Sequence, residues 1–264
     1  MLGRKGYRLR RVKYLPLVKL LVGRELTLRY KRSVIGIGWT LLNPMLTSFV
    51  LWVVFSYIFG SKLPGGQQYA PYLFAGVLLN NFFSQGMLAS AESIASNGAI
   101  FTKIYIPPQV FAVSSAFASF VNFLIGLIPL TIVVYISGTN LSWTFPLILV
   151  IAFMMVLLVS GLGLILSITF IRFDDTRNVV NVSLLMLLYL TPVFYPLSAL
   201  SPRLQQIIGF NPMTSFLDCF RWAFSTNETA TLGDWLYIGT TSASVFFLGV
   251  YIFKKYWAQT ITML

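Results

Sequence analysis

From Ile104 to Ile171 the chain runs 68 residues without an aspartate, glutamate, lysine or arginine. As one helix at ~1.5 Å per residue that run would measure about 100 Å, against a bilayer hydrocarbon core of roughly 30 Å. It therefore has to cross a membrane more than once. The stretch SGTNLSW (Ser137 to Trp143) carries the turn residues Gly138 and Asn140 and predicts a short loop between two spans. Composition agrees: 57% of residues are hydrophobic and 10% charged, where a soluble domain carries roughly 25% charged residues. The chain reads as an all-α integral membrane protein.

Apolar runs of about 20 residues place six spans near Trp39–Phe59, Pro71–Ala91, Val110–Ile136, Phe145–Ile171, Val179–Pro196 and Trp235–Phe253. Residues 1–38 then form a basic tail with an interface helix, 39–264 the six-span domain, and 197–234 an outer segment between spans five and six. The first 13 residues, MLGRKGYRLRRVK, are densely basic and no cleavable apolar region follows, so both termini are expected in the cytoplasm. With that orientation 16 of the 19 cations lie inside, and only Lys62, Arg203 and Arg221 outside. Trp39 and Trp257 then fall at inner boundaries and Trp143, Trp222 and Trp235 at outer ones, where an amphipathic ring sits best.

Chemistry is narrowed by what is missing. There is no histidine and a single cysteine, Cys219, so neither an ordinary metal cluster nor an internal disulfide is available. No carboxylate sits mid-span, against proton or sodium coupling, and no GxxxxGK[ST] loop occurs, so the chain does not bind nucleotide in the P-loop manner. The polar residues within spans include Asn80, Asn81 and Gln85 in the second and Asn122 in the third; their default role is hydrogen bonding between helices, and the alternative is lining a pathway.

Three segments depart from a plain bundle. In RELTLRYKRSVIGIGWTLLNPML (Arg24 to Leu46), four cations in nine residues give way to an apolar run. Leu17, Leu20, Leu21 and Leu28 share one side of a helical wheel, the pattern of a helix lying in the membrane surface. Arg24 and Lys31 fall on that side and must snorkel or find a partner. Gly36, Gly38 and the Asn43-Pro44 pair are expected to bend the chain into the first span. The inner loop AESIASNGAIFTKIYIPP (Ala91 to Pro108) reads as a short helix stopped by Pro107 and Pro108, either a connector or a lever. Between Leu197 and Asp234 two apolar pieces flank Asn211-Pro212, each too short to span, with Phe216, Leu217, Phe220 and Phe224 in a helical stripe. They suit a lid or a passive cap.

RELTLRYKRSVIGIGWTLLNPML, SNGAIFTKIYIPPQV, RFDDTRNVVNVSLLMLLYLTPVFYPLSAL and LQQIIGFNPMTSFLDCFRWAF together resemble, in order, the membrane subunit of type-2 ATP-binding-cassette exporters. The resemblance is to the branch that exports polysaccharides such as O-antigen, capsule, teichoic acid or galactan. It implies a multi-pass protein of a bacterial plasma membrane, working as a homodimer with two copies of a separate P-loop subunit that holds ATP and Mg, this chain binding no cofactor itself. It implies a lipid-linked glycan as substrate, membrane lipids and no nucleic acid as further partners, and a channel between the two copies. Glu92, Asn97, Lys103, Tyr105, Arg24, Arg29 and Arg32 become ATPase-coupling candidates, and Trp52, Tyr57, Tyr189, Phe194 and Tyr195 channel candidates. Phe210, Asn211, Pro212, Phe216, Phe220 and Trp222 become candidates for an outer gate. The competing readings are a small-molecule or drug exporter of the same superfamily, and a membrane-embedded transferase, which the lack of histidine and of mid-span acids disfavours.

Overall fold

A computed structural model describes residues 14–30, 35, 36, 38–59, 63, 68–101, 106–139, 141–224 and 230–263. The elements are helices: α1 (Tyr14–Tyr30), α2 (Gly38–Phe59), α3 (Tyr69–Ser96), α4 (Gly98–Phe101), α5 (Gln109–Ile136), α6 (Ile148–Arg172), α7 (Asp175–Leu190), α8 (Pro202–Gly209), α9 (Pro212–Phe224) and α10 (Leu232–Thr260). Each expected span overlaps a helix, but the fifth, Val179–Pro196, is helical only as far as Leu190. Among the described residues four stretches are long and apolar enough to cross a membrane: Gly38–Tyr57, Gln109–Ile136, Phe145–Arg172 and Leu232–Thr260. The charge-free run supplies two of them, separated where SGTNLSW predicts a loop. α3 is long but carries Asn80, Asn81 and Gln85 along its middle, and α7 is only 16 residues.

The centre of the bundle is the contact of α3 with α5 and α6, and of α6 with α10. Leu73, Leu79, Leu130, Ile151 and Met155 are fully buried there. A smaller cluster sits at the end where α1 crosses, built from Leu21, Ile94, Phe111, Leu164, Ile168 and Phe253. The leucine face of α1 divides. Leu21 is buried and Leu17 packs beside it, whereas Leu20 and Leu28 are exposed, so the packed stripe is narrower than the wheel suggests.

Two other expectations change. The chain turns into α2 at Gly36, whose φ of 56° is open to glycine, but α2 then runs unbroken through Pro44. Pro44 lies in the second turn, where its missing N–H costs one hydrogen bond without ending the helix. At the other end α9 is no surface cap: Phe216, Leu217, Phe220 and Phe224 are all buried. Phe220 lies 5.5 Å from Phe123 and Phe224 5.7 Å from Phe145, ring centroid to centroid, so α9 is a wedge within the bundle. The exposed piece is α8.

α6 and α10 approach at Gly161 and Gly249. A Cβ at Gly161 would stand 2.5 Å from the Val245 carbonyl oxygen and 2.7 Å from Phe246 Cα, both backbone atoms that cannot swing away. Without a hydrophobic drive between helices in lipid, such close backbone contact is what binds them. Gly161→Leu should therefore abolish the monodisperse peak of the detergent-solubilised protein in size-exclusion chromatography. Gly239→Ala, whose Cβ would meet only the Met154 methyl at 3.7 Å, should leave that peak unchanged.

Candidate functional site

Helix α3 ends at Ser96, and Asn97 caps it. The Asn97 amide donates from Nδ2 to the Ser93 carbonyl at 2.7 Å and accepts at Oδ1 from Arg24 Nη1 at 2.8 Å. Arg24 thus finds the partner its place on the wheel requires. A cation beside the C-terminal end of α3 also complements the helix dipole. Glu92, on α3, pairs with Arg177 of α7 at 3.1 Å. Both side chains are about half exposed, so the pair contributes at most ~1 kcal/mol and its value is positional. Arg172 donates to Gln259 and Thr260 and lies over the Tyr256 ring, tying α6 to α10. The two arginines of RFDDTRN are therefore helix-end ties. Arg32, Lys31, Lys103 and Tyr105 lie outside the described residues, as does the Arg29 side chain.

At the opposite end the chain leaves α7 and runs through Thr191, Pro192, Val193 and Phe194, all buried and none helical. Its carbonyls are taken up by side chains. Tyr69 donates to Phe194 O at 2.8 Å, and Tyr72 to Tyr195 O at 2.8 Å and Pro192 O at 3.2 Å. Arg221 Nη2 donates to Pro192 O at 3.1 Å and to Val193 O and Tyr72 O at 3.4 Å, with its guanidinium 3.4 Å from the Tyr72 ring centroid. Sequence reading counts Arg221 as an outer cation; it is in fact a 4%-exposed anchor. Asn211 clasps the same segment, donating to Thr191 Oγ1 at 2.9 Å while its Oδ1 accepts from the Met213 N–H.

The aromatic candidates separate by exposure. Trp52 and Tyr57 on α2 and Tyr189 on α7 are exposed, whereas Phe194 is buried and stacked on Phe55 at 5.6 Å. Tyr195 is half-buried with its hydroxyl on the Tyr189 carbonyl. Among the gate candidates Phe210 is exposed, Asn211, Pro212 and Trp222 are half-buried, and Phe216 and Phe220 face the interior. Trp222 stands edge-on to Trp235.

The span amides converge in a way sequence spacing does not reveal. Asn81 and Gln85 of α3, Asn122 and Ser119 of α5, and Thr40 and Asn43 of α2 line one cavity of about 300 Å³. Gln85 also lines a second cavity, with Glu25 and Glu92.

A helical bundle with a cationic helix docked across one end and a buried, unwound chain at the other has a match among known families. Residues 16–225 match the family model described as ABC-2 type transporter. The chain belongs to the ABC-2 type transporter family. Within it, the chain is 29% identical over 214 residues to the O-antigen export system permease protein RfbA of Myxococcus xanthus, covering 80% of this chain and 81% of that one. It is 27% identical to a Klebsiella pneumoniae protein of the same name, over 79% and 80% of the two chains. The polysialic acid transport protein KpsM of Escherichia coli is 21% identical over 96% of both. The family match covers both the Arg24–Asn97 contact and the Arg221 anchor.

The anchor is testable on its own. Arg221→Met strips donors from buried carbonyls, at about 1–3 kcal/mol for a buried acceptor left unpaired. It should lower the apparent melting temperature in detergent and speed amide exchange at Val193 and Phe194, whereas Arg203→Met on exposed α8 should change neither. An unchanged melting temperature in Arg221→Met would remove the anchoring role.

Proposed function

We propose that this chain is the permease subunit of an ATP-driven exporter that moves a lipid-linked polysaccharide across a bacterial plasma membrane. The observation that carries the reading is the family match, together with relatives from three bacteria that are named as exporters or transporters of glycans and align over four-fifths or more of their length. The energy source is a separate P-loop subunit, two copies of it serving a homodimer of this chain, since the chain has no P-loop of its own. All six apolar helices span the membrane, with both termini in the cytoplasm. The α1 end is then where the ATPase docks, through Arg24, Asn97, Glu92 and the neighbouring residues Arg29, Arg32, Lys103 and Tyr105.

The surface supports a second copy. α2 and α7 bury little within the protomer and expose Phe49, Val50, Val54, Val182, Leu185 and Met186. Trp52, Tyr57 and Tyr189 lie on the same two helices, so a channel between copies would be edged by aromatic rings. Phe210 on exposed α8 sits at the outer mouth.

The reading is tested by purifying the tagged chain from its host in mild detergent. A P-loop ATPase should co-purify in equal amount and hydrolyse ATP; a preparation with no such subunit in several detergents would overturn the reading. Orientation has a separate test. Cys219 is fully buried, and burial first, then Asp234 and Asp218, push its thiol up to about 12, so it should stay unlabelled in the native protein. Phe210→Cys in a Cys219→Ser background should react with an impermeant maleimide added outside intact spheroplasts. Reaction only after membrane rupture would reverse the topology.

A further inference from the structure

The cavity between α2, α3 and α5 is about 300 Å³, at the small end of ligand sites, which span roughly 300–1,000 Å³. Its polar lining is neutral. Asn43, Asn81, Gln85 and Asn122 bring amide groups, each able to donate and accept, from three different helices. Ser119 is buried, and its hydroxyl meets no hydrogen-bond partner among the described residues. The remaining wall is apolar and aromatic, made by Trp39, Pro44, Leu78, Phe82 and Phe123, of which Trp39 is exposed.

Charge decides what fits. Among the described residues no lysine or arginine lines this cavity or the second one that shares Gln85, and the charged groups there are Glu25 and Glu92. Arg24, next to Glu25, is engaged by Asn97, and Arg177 by Glu92. A phosphate drawn into the amide cavity would lose water and meet no lysine or arginine among the described residues, and in the second cavity it would meet two carboxylates, one of them paired with Arg177, against the rule that buried charge must be paired. A sugar ring matches both walls, because its edge carries hydroxyls that give and take hydrogen bonds and its face carries C–H groups that lie flat on an aromatic ring.

We infer that this amide-lined cavity is a binding subsite for an uncharged sugar residue of the transported chain, separate from wherever the anionic carrier phosphate is held. The inference rests on the exporter reading above. It assigns Asn81, Gln85 and Asn122 a ligand-facing role in addition to any hydrogen bonds between helices.

The test uses the complete transporter in its own host, with the photoreactive residue benzoylphenylalanine placed singly at Gln85, at Asn43 and, for comparison, at Tyr57. Adducts are digested to peptides and treated with mild acid, which cleaves the sugar–phosphate bond. An adduct made through sugar keeps its sugar and remains periodate-sensitive, while one made through the carrier keeps only lipid. Sugar-bearing peptides at Gln85 and Asn43 are the expected result. Lipid-bearing peptides there, or crosslinks to protein alone while Tyr57 captures sugar, overturn the subsite and leave the exporter reading standing. Absence of sugar at all three positions, with transporter present at normal level, overturns both.

Discussion

The structure hangs on a cation that holds backbone. Between α7 and α8 the chain gives up helical hydrogen bonding while still buried, and every buried carbonyl there needs a donor from elsewhere. Arg221 donates from the one nitrogen Nη2 to the Pro192 and Val193 carbonyls of this segment and to the Tyr72 carbonyl of α3, and its guanidinium stacks on the Tyr72 ring. Tyr69 and Tyr72 supply the others from the first turns of α3. A lysine, whose ammonium has no flat face, would not reproduce the stacking on the Tyr72 ring. Because Arg221 sits on α9, the unwound segment can persist only while α9 is wedged into the bundle. The burial of Phe216, Phe220 and Phe224 and the conformation of Thr191–Phe194 therefore stand or fall together.

What the sequence discloses and what it hides divide along a physical line. Apolar length is local information, and it located α2, α5, α6 and α10 to within a few residues, including the loop inside the 68-residue run. The same signal called spans at α3 and α7, which are not among the four candidate spans of the described residues: amides dilute the hydropathy of one, and the other stops at 16 residues. Partner identity is not local. Arg221 is bound by backbone carbonyls, which have no residue-type signature, so a count of charges assigns it to an outer loop. The α9 stripe of phenylalanines reads equally as a surface cap or a buried wedge, because a helical wheel shows a face without showing what covers it. Arg24 is the intermediate case: its position among leucines demanded a partner, and only the fold could name Asn97.

The amide cavity has the same origin. Asn81 and Gln85 lie one helical turn apart on α3, and Asn122 and Ser119 are three apart on α5. Each pair is visible in sequence as a polar interruption of an apolar helix. That the two pairs face each other, with Asn43 across from them, depends on the rotation of α3 against α5. That rotation is fixed by contacts such as Phe82 on Phe123, at 4.9 Å between ring centroids. Hydrophobic packing, which is non-directional, thus sets the direction in which the directional groups point.

α3 joins both ends. Its 28 residues make a rod of about 42 Å at ~1.5 Å per residue. One end carries Tyr69 and Tyr72 against the unwound chain, and the other carries Glu92 and Asn97 against α7 and α1. The polar contacts at the two ends differ in strength: those at the α1 end are exposed and weak, beside the small apolar cluster of Leu21 and Ile94, while those at the Arg221 end are buried and multiply hydrogen-bonded. A displacement applied to the rod is therefore accommodated first by exchange of the Arg24–Asn97 and Glu92–Arg177 contacts. Only a larger one reaches the anchor. The same rod carries Asn81 and Gln85 midway, so the amide cavity lies on the element that any coupling between the ends must move.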